Sequence, residues 1–110
     1  QVTGRYLTGD AGWNAFQAGV LDEIPVTLIG GSYFTAEGGA SKYWPHDGLV
    51  SVASAHAVDV PAAVLPNRTT FTFPRTHSIF ISDAVGAEWD TAMTWDNEVL
   101  DVVADAIASA

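Results

Sequence analysis

The most continuous apolar pattern in the chain is Ile24-Pro25-Val26-Thr27-Leu28-Ile29, opened by a proline and closed by Gly30-Gly31. A run without polar alternation suits a strand covered on both faces, as in a parallel sheet. Thr69-Thr70-Phe71-Thr72-Phe73 alternates instead, which predicts a strand with one set of side chains on each face, ended by Pro74. Helical spacing is clearest at the end of the chain, where Val99, Val102, Val103, Ala106 and Ile107 form one apolar stripe. Asp96 is placed to cap that helix, Glu98 sits near its positive end, and Asp101 and Asp105 face water. Weaker helical patterns run from Trp13 to Leu21 behind Asp10, on Trp13, Phe16, Gln17 and Val20, and from Gly48 to Ala55 behind Asp47. Ile79-Phe80-Ile81 is expected to bury the segment around His77.

The connections carry their own signals. Gln1 to Gly12 reads as a loop or lid, and Asp59 to Asn67, with Pro61 and Pro66, as a connector. Ser32 to His46, with Gly38-Gly39, several aromatics and Pro45, is in the length range where loops are usually functional. Asn67-Arg68-Thr69 is a glycosylation sequon, meaningful only in a eukaryotic secretory pathway. No internal repeat is present. Residues 1–110 fit a single segment of one domain.

Composition narrows the function classes. With 48% hydrophobic and 15% charged residues, a folded chain is expected rather than a disordered one, and much of the apolar surface needs a neighbour. Four basic residues against 13 acidic ones give a net charge of −9, which repels phosphate backbones and anionic lipid headgroups, so no nucleic-acid partner is expected. The absence of Cys removes disulfide and thiolate chemistry. No apolar run approaches the roughly 20 residues of a membrane span. The chain opens at Gln1 with no basic segment followed by an apolar one, so a processed or trimmed product without a signal peptide is expected.

Candidate chemistry centres on Asp47 and His77. Asp47 lies at the end of a turn in Tyr43-Trp44-Pro45-His46-Asp47-Gly48-Leu49-Val50-Ser51, with capping of the following helix as its ordinary role. His77 follows the Thr69–Phe73 strand and the Pro74-Arg75 turn. A carboxylate and a later histidine, each just beyond a strand, are the last two members of a Ser, Asp, His triad in one of its known chain orders. There the histidine moves the proton and the carboxylate fixes its tautomer. His46 and His56 read as surface or packing residues. A metal site built from His46, Asp47, His56 and Asp59 matches no compact ligand spacing, so neither metal nor cofactor is expected.

Asp47-Gly48-Leu49-Val50-Ser51-Val52-Ala53-Ser54-Ala55-His56-Ala57, followed by a strand and then Thr76-His77-Ser78-Ile79-Phe80-Ile81, resembles the C-terminal portion of bacterial-type α/β-hydrolase lipases and esterases over roughly residues 24–110. The resemblance implies Asp47 and His77 as the catalytic acid and base, lipid or short-chain esters as substrates, and a secreted location. Some such lipases bind calcium near these loops, but Ser78 and Ile79 stand where an acidic ligand would be needed, so no calcium is implied.

The pattern departs from the family at the nucleophile, because no Gly-x-Ser-x-Gly elbow is spelled. Gly30-Gly31-Ser32-Tyr33-Phe34 is nearest, with Ser32 in the right order but Phe34 in the fifth place. Tyr33, Phe34, Tyr43 and Trp44 are candidates for lining an ester pocket or for packing. The expected reading is the C-terminal part of an α/β-hydrolase fold acting as a serine esterase or lipase component, with the serine and oxyanion hole on a companion polypeptide segment. The alternative is a non-catalytic acidic α/β module that binds a partner protein through its apolar surface.

Overall fold

The structure is a computed structural model that describes residues 17–35 and 44–109. The expected loop at residues 1–12, the start of the first expected helix and Tyr43 lie outside the described residues. From Ala18 to Glu23 the chain turns instead of continuing a helix. Gly19 sits at φ +92, and the N–H groups of Val20, Asp22 and Ile24 each reach back three residues, closing successive turns.

Strand β1, Val26–Gly31, pairs in parallel with β2, Arg68–Phe73, in a register from Val26 opposite Arg68 to Gly31 opposite Phe73. The Val26 N–H donates to the Asn67 carbonyl at 3.0 Å and the Ser32 N–H to the Phe73 carbonyl at 2.8 Å, so the pairing is tied at both ends. The strand starts at Val26, not Ile24, because Pro25 has no N–H and Ile24 closes the preceding turn. The apolar run of β1 predicts cover on both of its faces. Among the described residues Val26 to Ile29 are only half-buried and Thr69 to Thr72 are exposed, since a sheet of this size has little to pack on.

The connection from β1 to β2 carries helix α1, Val52–Ala55. A helix from Gly48 capped by Asp47 is corrected here. Gly48 has φ +106, outside helical space, and the cap is Ser51, whose Oγ accepts from the Ser54 N–H at 3.1 Å. After α1, Ala57 adopts a left-handed φ of 53, a position glycine usually holds. Arg68 then fixes the connector. Its guanidinium donates to the carbonyls of Ala57 and Val60 at 2.6 Å each, and to those of His56 and Leu65 at 3.2 and 3.3 Å. A planar fork of donors can gather four carbonyls in this way, whereas an ammonium group cannot.

Beyond β2 come α2, Ile79–Ala84, a short 3₁₀ turn at Trp89–Thr91, and α3, Asn97–Ala108. Ile79 and Ile81 are half-buried, but Phe80 points outward at 78% exposure, so only part of the expected apolar cover forms. Asp96 caps α3 as expected, accepting from the Val99 N–H at 3.3 Å. Along its stripe Val99 is buried, Val102 and Ala106 are half-buried, and Val103 and Ile107 are exposed. The buried hydrophobic side chains among the described residues are Val64, Ala92 and Val99, a thin core. The architecture is therefore mixed helix and strand around a small two-stranded parallel sheet. No described helix is long and apolar enough to cross a membrane.

Because the left-handed conformation costs an L-residue about 1–2 kcal/mol, Ala57→Gly should stabilise the chain by about 0.5–1 kcal/mol after the entropy cost of glycine. Denaturant unfolding monitored by circular dichroism checks this, and a loss of stability would contradict the assigned backbone.

Candidate active site

Asp47 and His77 stand just past the same end of the parallel sheet and meet there. Short antiparallel bridges, Phe34 with His46 and His46 with Ser51, hold the chain on either side of Asp47. Between the bridged positions the chain makes a tight turn closed by the Asp47 N–H on the Val50 carbonyl at 3.1 Å. Oδ1 of Asp47 accepts from the N–H groups of Leu49 at 2.9 Å and Val50 at 2.7 Å. Its Oδ2 lies 2.9 Å from Nδ1 of His77, and the His77 backbone N–H donates to the Asp47 carbonyl, also at 2.9 Å. At 2% exposure, the Asp47 carboxylate is satisfied by protein donors in place of water.

The hydrogen bonds also assign protons. A carboxylate only accepts, so Nδ1 of His77 carries a hydrogen, and in the neutral ring Nε2 then has the free lone pair. That Nε2 makes no hydrogen bond among the described residues, and the side chain is 41% exposed. An imidazole held in this way can take a proton at Nε2 while the carboxylate stabilises the cation. His46 has the opposite arrangement. Its Nδ1 accepts from the Gly48 N–H at 3.0 Å, and its ring stacks on Phe34 and leans on Trp44. His56 donates from Nε2 to the Phe71 carbonyl at 2.9 Å, with Thr72 Oγ1 at 3.2 Å. Both serve the packing of the loop and of β2.

Glycines make the close approach possible. A Cβ built on Gly31 would lie 2.6 Å from the Arg75 carbonyl oxygen and 2.7 Å from Cβ of Asp47. One on Gly48 would lie 2.6 Å from Cγ2 of Ile81, at a φ that side chains rarely adopt. The sequence offered Gly30-Gly31 as a strand terminator and Asp47-Gly48 as a turn signal. It did not reveal that each glycine seats the acid against its neighbours. Arg75, two residues before His77, faces Oδ2 of Asp96 at 3.5 Å, an ion pair without hydrogen-bond geometry that ties the histidine loop to the cap of α3.

Ser32 makes no hydrogen bond to His77. Its hydroxyl donates to the Phe73 carbonyl at 3.3 Å. Tyr33 packs edge-on against Phe34, and Phe34 and Trp44 embrace His46. A shallow, open depression beside Asp47 is lined by His46, Gly48, Leu49, Val50, Ser51 and Ser54, without His77. His46, Asp47, His56 and Asp59 do not converge, and no three His, Asp or Glu side chains gather as metal ligands among the described residues. Comparison with protein-family models, with curated proteins and with solved structures found no match.

Gly31→Ala should destabilise the chain by about 1–3 kcal/mol, the usual cost of overpacking, and loosen the contact between Asp47 and His77. Thermal unfolding together with the exchange lifetime of the His77 Nδ1 proton checks both effects. A variant with wild-type stability would show that the space beside Asp47 is larger than 2.7 Å allows.

Proposed function

We propose that this chain supplies the acid and base of a serine esterase or lipase, as the C-terminal part of an α/β-hydrolase domain whose nucleophile and oxyanion donors lie on a companion segment. The supporting observation is the buried Asp47 carboxylate bonded to Nδ1 of a half-exposed His77. His77 accepts the proton of the nucleophilic serine at Nε2 as the serine attacks the ester carbonyl. It then returns the proton to the leaving alkoxide, and the same residue activates water for deacylation. Asp47 holds the tautomer and stabilises the imidazolium.

The companion segment also answers a structural deficit. Phe80, Trp95, Leu100 and Ile107 are exposed to between 46% and 78%, more apolar surface than the described residues cover. A purely docking role for an acidic module would account for that surface. It gives no reason to bury a carboxylate against a histidine whose other nitrogen stays available.

The test begins by isolating the tagged chain with whatever it binds and labelling the material with a fluorophosphonate. The label is expected on a serine outside residues 1–110, and the chain alone should turn over a short-chain chromogenic ester no faster than free imidazole. In the assembled enzyme His77→Ala should lower kcat by a factor of about 10⁴ to 10⁶, and Asp47→Asn by about 10⁴, with little change in KM. Ester hydrolysis that survives His77→Ala would sink the reading, and labelling of Ser32 would move the nucleophile onto this chain. Native mass spectrometry showing a stable, compact monomer of 11.6 kDa would remove the companion segment.

A further inference from the structure

A line of three hydroxyls, two of them fully buried, runs beside His77 and is not used by the proposed proton transfer. Thr76, directly before the histidine, and Ser82, inside α2, are both fully buried. Oγ1 of Thr76 lies 2.8 Å from Oγ of Ser82, which lies 2.9 Å from Oγ1 of Thr91. Thr91 in turn donates to the Glu88 carbonyl.

Each hydroxyl has one proton, and this sets the direction of the line. A carbonyl only accepts, so the Thr91 proton goes to Glu88. With the shortest contact taken at each hydroxyl, Ser82 donates to Thr91 and Thr76 donates to Ser82. The Ser78 and Thr91 carbonyls, at 3.2 and 3.4 Å, are longer alternatives for the Thr76 proton. The order is therefore Thr76 to Ser82 to Thr91 to the Glu88 carbonyl.

The line closes three pieces of chain around the histidine. Thr76 is already fixed on one side, where its N–H donates to the Thr91 carbonyl at 2.7 Å and its carbonyl accepts from the Met93 N–H at 2.9 Å. On the other side of His77, Ser78 caps α2 without a side-chain hydrogen bond of its own. The Ser82 hydroxyl ties the first turns of α2 to both Thr76 and the 3₁₀ turn, beside the Trp89 indole N–H on Asp83 near the end of the helix. Without it the backbone bonds of Thr76, the His77 N–H on the Asp47 carbonyl and the Trp89 tie to Asp83 remain, while the first turn of α2 and Ser78, next to the histidine, gain freedom.

We infer that Ser82 and Thr91 are positioning residues for His77, holding its imidazole against Asp47 through this line of hydroxyls. The inference rests on the hydrolase reading only for its catalytic consequence, because the tie between Asp47 and His77 can be measured in the chain itself.

The experiment compares Ser82→Ala, Thr91→Val and Thr91→Ser. Thr91→Val keeps the shape but removes the acceptor that Ser82 needs, and Thr91→Ser restores it. Nitrogen-15 spectra of the imidazole report the tautomer at His77, and the exchange lifetime of its Nδ1 proton reports how well the ring is held. Ser82→Ala and Thr91→Val should shorten that lifetime about tenfold or more, and Thr91→Ser should leave it near wild type. In the assembled esterase the first two should lower kcat about tenfold to a hundredfold with KM nearly unchanged, as expected for a catalytic group displaced by a fraction of an ångström. If Ser82→Ala does not fold, the Thr91 pair carries the comparison. Variants that melt earlier while the His77 signals stay unchanged would reduce the line to a purely structural role and overturn the inference. A changed His77 signal in material that hydrolyses no ester would uphold it and count against the hydrolase reading alone.

Discussion

Burying one carboxylate is the constraint from which the site is built. An ionised carboxyl removed from water needs partners at nearly every lone pair, or the burial costs several kcal/mol. Asp47 finds them within a few residues of itself and in one distant residue. The turn through Gly48 aims the Leu49 and Val50 amides at Oδ1, and the His77 ring completes Oδ2. Each partner then imposes a demand on the chain around it. The turn needs a glycine at φ +106, the carboxylate needs room beside Gly31, and His77 needs a loop rigid enough to keep its ring in place. The ion pair of Arg75 with Asp96 and the hydroxyls of Thr76, Ser82 and Thr91 answer the last demand.

Much of this is legible in the order and type of the residues. The two strands and the cap of α3 follow from patterns whose physical basis is local, namely apolar runs, proline stops and capping residues, whereas the pairing of Asp47 with His77 is legible only as the chain order of an acid and a later histidine. The expectations that fail depend on conformations that periodicity does not encode. Leu49, Val50 and Val52 have helical spacing, yet a side-chain-closed turn at Asp47 delays the helix until Val52. Phe80 belongs to an apolar triplet, but α2 is a helix, so its successive side chains point in different directions and the phenyl faces outward. The four carbonyls around Arg68 leave no trace in the sequence either, because an arginine bound to backbone oxygens looks like any other arginine.

The surface shows a second tension. From Ile79 to the end of the chain there are seven acidic residues and no Lys, Arg or His, and the same stretch exposes Phe80, Val85, Trp89, Trp95, Leu100, Val103 and Ile107. Repulsion among like charges raises the energy of any compact arrangement of this region, and exposed apolar area does so too. Local devices relieve some of both. Trp89 donates its indole N–H to Asp83 at 2.8 Å and stacks edge-on against Trp95, and Glu98 lies in the first turn of α3, where the helix dipole favours it. These are surface terms worth fractions of a kcal/mol, too small to make up for a core that among the described residues consists of Val64, Ala92 and Val99.

The parallel sense of the small sheet explains why residues thirty positions apart meet at all. In an antiparallel pair the loops that leave the two strands emerge at opposite ends, separated by the length of the strands, about 20 Å for six residues. In a parallel pair both leave at the same end, about 4.8 Å apart, within reach of two side chains. The register of Gly31 opposite Phe73 makes the two exits level. The hydrogen bonds that continue past it, Ser32 N–H to Phe73 and Tyr33 N–H to Arg75, keep them together for two more residues. Moving β2 by two residues along β1 would displace the His77 loop by about 7 Å, more than twice the 2.9 Å that separates imidazole and carboxylate. The position of the catalytic candidates is thus fixed first by strand register, and the side-chain contacts act on a geometry the backbone has already set.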